Sequence, residues 1–457
     1  MTGSRDGRGL RKLIVASSLG TLFEWYDFYL YGSLAVFFGD LFFPPGNARA
    51  ALLASLATFG AGFGVRPLGA LVFGRIGDRV GRKYTFLVTM VTMGLATALV
   101  GFLPTYARAG LLAPVLLVLL RLAQGLALGG EYGGAATYVA EHVPDARRGY
   151  YTSFIQTTAT LGFFLSLGLI GACRAGLGPE AFRAWGWRVP FLFSFPLLGV
   201  SLYIRLRMRE SPLFTRLKAD GHVSKNPIRE SFANRRNLAY VLLALFGATA
   251  GQGVVWYTGQ FYALTFLQKP LNLDWRLAYP LVAVALLLGT PFFVIFGSLS
   301  DRIGRKRIML GGCLLAALTY LPLYAATKAL ANPSMAAAVT ELPLANCAGL
   351  VAILFVQMIY VAMVYGPIAA FLVELFPTSI RYTSMSLPYH LGNGWFGGFL
   401  PLIATAVTTS AWAKATFGAN AIYAGLAYPI GICLMTLLVG GLFIRETKNH
   451  RIDTPIR

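Results

Sequence analysis

The sequence predicts an all-α membrane protein with twelve transmembrane helices in two pseudo-symmetric six-helix bundles. Three observations predict this fold: an apolar composition, twelve apolar runs of membrane-spanning length, and a charged loop that occurs twice. Hydrophobic residues make up 56% of the 457 residues and charged residues 12%, whereas soluble domains carry about 25% charged residues. This composition favours a chain embedded in lipid over a soluble domain.

Each apolar run is long enough to cross the hydrocarbon core of a bilayer, which takes about 20 helical residues. The runs occupy residues 14–42, 51–74, 84–104, 111–140, 150–173, 187–207, 238–267, 277–299, 308–327, 345–375, 383–409 and 419–444. A polar, basic segment separates the sixth run from the seventh. We therefore expect an N-terminal bundle over residues 1–207, a partly helical cytoplasmic linker over 208–237, and a C-terminal bundle with a short cytoplasmic tail over 238–457.

A short charged loop between apolar runs occurs once in each half. GRIGDRVGRK at 74–83 returns as GSLSDRIGRK at 297–306, with six of the ten positions identical. A second pattern, E-x-x-P-x-x-x-R, begins at Glu141 and again at Glu374. Internal repeats between membrane helices are typical of secondary transporters. The chain is therefore interpreted as a two-halved membrane transporter.

The repeated charges predict a gate at the cytoplasmic side. We group Asp78, Arg82, Glu141 and Arg148 in the first half, and Asp301, Arg305, Glu374 and Arg381 in the second. Ion pairs that exist only while the cytoplasmic side is shut would bias the protein towards its outward-open state. The alternative is that these charges only end their helices at the membrane surface.

The net charge of +21 is explained by orientation in the membrane better than by a nucleic-acid partner. If both termini are cytoplasmic, 28 of the 39 Lys and Arg residues lie in cytoplasmic segments and nine in external ones. This is the positive-inside bias of membrane proteins, and such segments also contact anionic headgroups. We expect a multi-pass protein of the cell inner membrane, with lipid as a partner and both termini in the cytoplasm.

The longer motifs resemble those of a known family. The doubled G-x-x-x-D-R-x-G-R-K loop resembles the major facilitator superfamily, and five further motifs resemble its metabolite:proton symporter branch. They are GTLFEWYDFYLYG at 20–32, RLAQGLALGGEYGG at 121–134, WGWRVPF at 185–191, RESPLF at 209–214 and ELFPTSIRYTSMS at 374–386. That branch includes carriers of citrate, 2-oxoglutarate, shikimate, proline and betaine. The resemblance implies two six-helix bundles that enclose a central site and move by a rocker-switch.

Charges inside the apolar helices mark a candidate coupling site, since an ionised side chain at mid-membrane costs about 2.5–3.5 kcal/mol. Predicted helix 1 holds Glu24 and Asp27, and predicted helix 4 holds Arg121 and Glu131. Resemblance to the sugar carriers of the superfamily places Asp27 and Arg121 across a cavity from each other. We expect a substrate carboxylate to capture Arg121, whose planar fork binds both oxygens, so that Asp27 takes up a proton. Glu24 and Glu131 are alternative proton carriers, and a static ion pair is the alternative to coupling.

Uncharged polar side chains on the apolar helices are the candidate substrate ligands besides Arg121. Amides and phenols can hydrogen-bond a solute without a large burial cost. The candidates are Tyr31, Gln124, Gln156, Gln252, Trp256, Gln260, Gln357, Tyr389, His390 and Asn393. For each of them, hydrogen bonding between helices is the alternative.

These observations predict a proton-coupled symporter of a small organic acid, such as a mono-, di- or tricarboxylate, that works by alternating access. The alternative is proton-coupled uptake of a zwitterionic compatible solute of the proline or betaine type. No metal-ligand cluster, nucleophile motif or nucleotide loop favours an enzyme, and the four cysteines are scattered. We expect no cofactor other than the proton as coupling ion, no nucleic-acid partner, no catalytic or metal site, and a monomer.

Overall fold

The computed structural model describes residues 7–46, 48–206, 210–335, 337–448 and 450–452, and most of them are helical. The twelve predicted runs correspond to helices of the described chain, numbered α1 to α12. Their bounds are α1 Gly7–Phe42, α2 Ala48–Arg79, α3 Arg82–Val100, α4 Leu112–His142, α5 Arg148–Ala181, α6 Ser194–Leu206, α7 Arg235–Gln268, α8 Trp275–Ile303, α9 Arg305–Ala331, α10 Leu344–Leu375, α11 381–409 and α12 Ala427–Phe443. Eight helical stretches of the described residues are long and apolar enough to cross a membrane.

The connection between the halves contains two short helices, Pro212–Ala219 and Pro227–Phe232. Each begins with a proline at its first position, where the missing N–H has no helical partner in any case. The side chain of Asn234 then caps α7 by accepting hydrogen bonds from two backbone N–H groups. This cap begins α7 at Arg235, three residues before the predicted apolar run.

The two halves meet along two equivalent helix pairs. Helix α2 of the first half packs on α11 of the second, and α5 packs on α8. Helix α2 of the first half corresponds to α8 of the second, and α5 corresponds to α11. The pseudo-symmetry of the two halves therefore relates one helix pair to the other. This is the contact pattern expected of the pseudo-symmetric bundles that the doubled loop predicts.

Glycines let α2 and α4 pack with their backbones in contact. A Cβ at Gly125 would overlap the carbonyl oxygen of Gly62, and a Cβ at Gly129 would overlap that of Arg66. Small residues at helix crossings give membrane helices close van der Waals contact. The close packing of α2 against α4 fixes the position of Arg121, which lies one turn before Gly125 on α4.

Helices α7 and α11 contain wide π-helical turns. In α7 these turns are Leu245–Thr249 and Thr258–Tyr262, which flank the turn that holds Trp256. In α11 the π-helical segment is Leu391–Gly397, which includes Asn393. Such turns are frequent at functional sites because they redirect neighbouring side chains. Gln260 and Asn393 therefore lie within irregular turns, and Trp256 lies between two of them.

We expect Gly129→Ala to lower the midpoint of thermal unfolding in detergent, because the added methyl group must push α4 away from α2. Overpacking a close-packed core typically costs about 1–3 kcal/mol. Gly64→Ala is the matched control, since a Cβ at Gly64 meets nothing within 4 Å. Differential scanning fluorimetry measures both variants, and equal midpoints would contradict the close packing of these helices.

Candidate functional site

One face of the protein carries both ends of the described chain. Because successive helices run in opposite directions, the connections after α2, α4, α6, α8 and α10 lie on the face where α1 begins and α12 ends. We call it the basic face, since most Lys and Arg residues occur in these connections and at the two ends. Both repeated loops and both E-x-x-P-x-x-x-R segments lie on this face, so the eight predicted gate residues share it.

Four of the eight residues form one buried cluster of ion pairs. Arg82 lies 3.2 Å from Asp78 and 3.7 Å from one carboxylate oxygen of Glu141. Arg381 lies 2.8 Å from the other oxygen of Glu141. All four side chains are at most 1% exposed. Loss of any member would leave an uncompensated buried charge, which is strongly destabilising.

The other four residues form the equivalent cluster. Arg305 lies 2.6 Å from Asp301 and 3.1 Å from Glu374. Arg148 lies 2.9 Å from the same oxygen of Glu374, and it also pairs with Asp145. The two clusters have the same composition and related geometry, as the doubled sequence motifs predict.

The observed clusters correct the grouping of charges by half. The sequence placed Arg148 with Glu141 and Arg381 with Glu374, but each arginine pairs with the glutamate of the opposite half. The reason is that each arginine begins a helix, α5 or α11, that packs across the interface, whereas the glutamates end α4 and α10. The ion pairs therefore join the two halves of the protein.

The two aspartates of the repeated loops also bind across the interface. Asp78 accepts hydrogen bonds from the backbone N–H groups of Tyr382 and Thr383, at 3.2 and 2.8 Å, in the first turn of α11. Asp301 accepts equivalent bonds, at 2.9 and 2.8 Å, from the first turn of α5. A carboxylate at a helix N-terminus satisfies free N–H groups and matches the helix dipole. Both contacts join the two halves at the basic face.

Four further residues belong to the clusters and were not predicted. Glu210 accepts hydrogen bonds from backbone N–H groups at the start of α3, and Glu446 does the same at the start of α9. Ser211 and Thr447 donate hydrogen bonds to the glutamates of the two clusters. The signal for them was present, because R-E-S after α6 returns as R-E-T after α12.

The predicted charge pair of α1 and α4 is a direct contact. Arg121 Nη1 lies 3.2 Å from Asp27 Oδ2 and donates to Gln124 Oε1 at 2.7 Å. Gln124 Nε2 donates to the other oxygen of Asp27 and to Thr97, both at 3.1 Å. The guanidinium carbon lies 4.3 Å from the centre of the Tyr31 ring. Asp27 and Arg121 are 1% and 4% exposed, so the pair is enclosed within the first half.

This arrangement corrects the expectation that Asp27 and Arg121 face each other across a cavity. Their hydrogen-bond partners described above come from α3 and α4, and Tyr31 donates to the carbonyl oxygen of Ser55 in α2 at 3.3 Å. These side chains occupy the face of α1 that is turned into its own bundle. Aromatic residues on another face of α1 contact the second half.

Of the two alternative proton carriers, Glu131 and Glu24, the structure describes the side chain of Glu131. Glu131 is 3% exposed and accepts a hydrogen bond from Thr89 Oγ1 at 3.0 Å, within the first half. The side chain of Glu24 lies outside the described residues. The described carboxylate that is in contact with Arg121 is therefore that of Asp27.

An aromatic layer joins the halves at the centre of the protein. Trp25 of α1 packs on Trp256 of α7, with ring centroids 4.8 Å apart. Tyr132 of α4 lies parallel to Tyr389 of α11 at 3.6 Å, and the hydroxyl of Tyr389 lies 2.7 Å from that of Tyr365. All five rings are at most 9% exposed. The layer therefore connects α1 and α4 of the first half with α7 and α11 of the second.

Four predicted ligands keep a polar atom without a hydrogen-bond partner among the described residues. Gln156 donates to Tyr132 at 2.9 Å, but its Oε1 is unused. Trp256 Nε1, Gln357 Oε1 and both ring nitrogens of His390 are unused as well. An unpaired buried donor or acceptor costs about 1–3 kcal/mol. A polar solute that bonded these atoms would recover that cost.

A cavity of about 270 Å³ lies between the halves, beyond the aromatic layer when viewed from the basic face. Its walls come from α1, α5, α7 and α8. The predicted ligand Gln260 lines it and accepts a hydrogen bond from Tyr29 at 3.5 Å. No described residue of the lining is charged. Asp27 and Arg121 are not part of its wall.

The remaining predicted ligands lie within the second half. Gln252 of α7 and Asn393 of α11 exchange two amide hydrogen bonds, at 3.0 and 2.8 Å. His390 is 1% exposed and packs edge-on against Tyr389, with centroids 5.1 Å apart. In this conformation the Gln252–Asn393 bonds fasten α7 to α11.

No metal site is evident within the described ranges, where no three His, Cys, Asp or Glu side chains are grouped to hold an ion. The four cysteines are free thiols, two of them fully buried. The ionisable groups described for the site are the buried pair of α1 and α4, Glu131, His390 and the two clusters of the basic face.

Known proteins with similar sequences span almost the whole chain. Residues 17–342 match the family model of the Major Facilitator Superfamily. The chain is 34% identical to an inner membrane metabolite transport protein of Escherichia coli (strain K12), over 96% of this chain and 95% of that protein. It is 33% identical to the glycine betaine/proline/ectoine/pipecolic acid transporter of Dickeya dadantii, over 97% and 85%. It is also 33% identical to the alpha-ketoglutarate permease of Escherichia coli (strain K12), over 94% and 95%.

The fold also resembles that of a solved structure in the same superfamily. A proton:xylose symporter aligns with a TM-score of 0.73 and 19% sequence identity, over 97% of this chain and 98% of that one. The predicted twelve-helix fold and the predicted transport function without enzymatic activity are confirmed by these matches. The chain belongs to the Major Facilitator Superfamily and is a multi-pass membrane transport protein.

Proposed function

We propose that the chain is a proton-coupled symporter of a small organic acid, such as a mono-, di- or tricarboxylate, in an inner membrane. The observation that carries this proposal is the buried Asp27–Arg121 pair, held by Gln124 inside the first half. The relative named as an alpha-ketoglutarate permease supports an organic acid as substrate. We further propose that the basic face is cytoplasmic, since basic residues concentrate on the cytoplasmic side of membrane proteins.

Asp27 and Arg121 compensate each other where an unpaired charge is costly. Removal of one partner from a buried pair typically costs about 3–5 kcal/mol. Protonation of Asp27 leaves Arg121 without an anion, and a substrate carboxylate that binds Arg121 leaves Asp27 without a cation. Protonation of Asp27 and binding of the carboxylate to Arg121 each remove the uncompensated charge that the other event would leave. Proton and carboxylate therefore bind cooperatively.

Helix α1 connects this pair with the cavity. Phe28 and Tyr29 line the cavity and directly follow Asp27 in the chain, so the pair and the cavity lie on different faces of the same turn. In the conformation described, Arg121 is behind the cavity wall. We assign to α1 the movement that brings the substrate carboxylate and Arg121 together.

The two crossed clusters act as the cytoplasmic gate in this proposal. They tie the halves together at the basic face, while the cavity lies on the opposite side of the aromatic layer. Opening of the basic face requires that the Arg148–Glu374 and Arg381–Glu141 pairs break. Substrate and proton binding must favour that state by their differential affinity.

A zwitterionic solute is the second candidate, and the cavity lining favours it. Five aromatic rings line the cavity, and none of its described lining residues is charged. They are Phe28, Tyr29, Phe163, Phe261 and Tyr279. The faces of aromatic rings attract quaternary ammonium groups, and one relative is named as a glycine betaine transporter. A thermal-shift screen against carboxylates and betaines identifies the ligand, since a ligand raises stability by mass action.

We expect Asp27→Asn to abolish uphill, pH-driven uptake in proteoliposomes, because a neutral amide cannot exchange a proton. Counterflow of substrate should continue, since it needs binding and reorientation without net proton movement. Asp40→Asn is the matched control on α1, as Asp40 is exposed and 3.9 Å from an exposed Arg183. Accumulation by Asp27→Asn against a gradient would exclude Asp27 as the proton carrier and favour Glu24 or Glu131.

Arg121→Lys should weaken the binding of an organic acid at least tenfold in calorimetry, because an ammonium group lacks the planar two-point match to a carboxylate. A zwitterion held mainly by aromatic rings should lose much less affinity. The exposed Arg108→Lys serves as control. Wild-type affinity of folded Arg121→Lys for the ligand found in the screen would argue against carboxylate capture and for the zwitterion.

Asp78→Asn should open the basic face, because the amide weakens the bonds to the start of α11 and leaves Arg82 with less compensation. A change of about 1.4 kcal/mol shifts the populations tenfold. The readout is maleimide labelling of Thr137→Cys, since Thr137 is fully buried and contacts Met385 of the other half. We expect increased labelling, slow transport and near-normal substrate affinity.

The same change at Asp301 should act in the same direction, since the two aspartates make equivalent contacts. Asp220→Asn in the exposed connection is the control for loss of one acidic charge. If transport falls while labelling stays at the control level, the clusters are folding determinants and the gate assignment is wrong.

A further inference from the structure

A groove on the basic face is not used by the proposed transport cycle. It has a volume of about 330 Å³ and lies between the start of α7 and the end of α12. Arg236, Arg445 and His450 are the basic residues of its lining, and Leu243 and Phe443 belong to its apolar wall. We propose that this groove binds the anionic headgroup of a phospholipid from the adjacent leaflet, with the phosphodiester at the two arginines.

Charge complementarity supports an anionic occupant. The described lining of the groove contains two arginines and a histidine, and its one carboxylate is that of Glu446. That carboxylate is engaged at α9, where it accepts hydrogen bonds from the backbone N–H groups of Arg305 and Lys306 at 2.8 and 3.2 Å. Guanidinium groups match phosphate oxygens in two-point contacts. The groove therefore presents two phosphate-binding side chains at one site.

The position of the groove supports a lipid as the source of that anion. Leu442 and Phe443 end α12 and are 69% and 65% exposed, as lipid-facing residues are. Arg445 follows them directly, and Arg236 lies 5.9 Å from the ring of Tyr240 on α7. Apolar side chains followed by aromatic and basic ones mark the level where acyl chains end and headgroups begin. A soluble phosphate would use the arginines but not the apolar wall.

The groove also borders the C-terminal residues 444–448 and 450–452, a segment that contacts the second cluster. Thr447 donates to Glu374 at 2.7 Å, and Arg148 donates to the carbonyl oxygen of His450 at 3.4 Å. A ligand that binds only while this segment is docked stabilises the shut basic face. The lipid site does not depend on the proposed transport activity; only this effect on the shut face rests on the gate.

The test uses the full-length protein, stripped of lipid and returned to phosphatidylcholine nanodiscs with increasing phosphatidylglycerol. Native mass spectrometry counts the phosphatidylglycerol retained by wild type, by Arg236→Gln/Arg445→Gln, and by Arg235→Gln/Arg307→Gln. The last variant is the matched control, since it removes two exposed arginines of the same face that do not line the groove. We expect roughly tenfold weaker retention for the groove variant. Equal retention by the two double variants overturns the site.

Two further measurements separate the source of the anion and its effect. Displacement of bound phosphatidylglycerol by glycerol 3-phosphate or inorganic phosphate at millimolar concentration would assign a soluble anion and overturn the lipid. Labelling of Thr137→Cys should decrease as phosphatidylglycerol increases in wild type but not in the groove variant. If retention differs between the variants while labelling does not, the lipid site stands and its link to the gate is overturned.

Discussion

The exchange of two arginines between the halves is the interaction that joins the halves at the basic face. Arg148 and Arg381 each neutralise a glutamate of the opposite half, and that glutamate also binds the arginine of its own repeated loop. One carboxylate thus balances an arginine from each half. Because buried arginines are costly without their anions, the halves can separate here only if water reaches both clusters. The two clusters therefore connect the halves through shared carboxylates.

The doubled motifs made the members of the two clusters predictable, but not their pairing. Each E-x-x-P-x-x-x-R segment supplies a glutamate and an arginine, and their spacing within one half does not reveal which half provides the partner. That choice follows from the packing of α5 on α8 and of α2 on α11, which is tertiary information. Glu210 and Glu446 were missed for a different reason. Their R-E-S/T pattern is only three residues long and lies in polar segments whose charge was already explained by orientation.

Helix α1 has two buried faces with different neighbours. This explains why the sequence identified the Asp27–Arg121 pair but placed the two residues across a cavity from each other. Asp27 and Tyr31 are four residues apart and share a face, as helical spacing requires. Trp25, Phe28 and Tyr29 contact the second half or line the cavity. In a soluble helix the hydrophobic stripe would show which face is buried. A membrane helix lacks that signal, since lipid and the protein interior are both apolar, so the direction of each face had to come from the structure.

The proposed pathway is closed by different interactions at two levels, the basic face and the aromatic layer, and this difference sets the order of events in the proposed cycle. The basic face is closed by ion pairs and helix caps, which require defined geometry and are lost together. The centre is closed by aromatic rings, whose contacts change gradually with separation. Separation of the rings on the cavity side exposes apolar surface but strands no charge. Opening of the basic face separates four arginines from their carboxylates. This opening therefore has the larger free-energy cost, which the binding of ligands must offset. In the proposed cycle, a proton and a carboxylate therefore bind at the α1–α4 pair before the basic face opens. Movement of α1 then couples this binding to the opening of the gate.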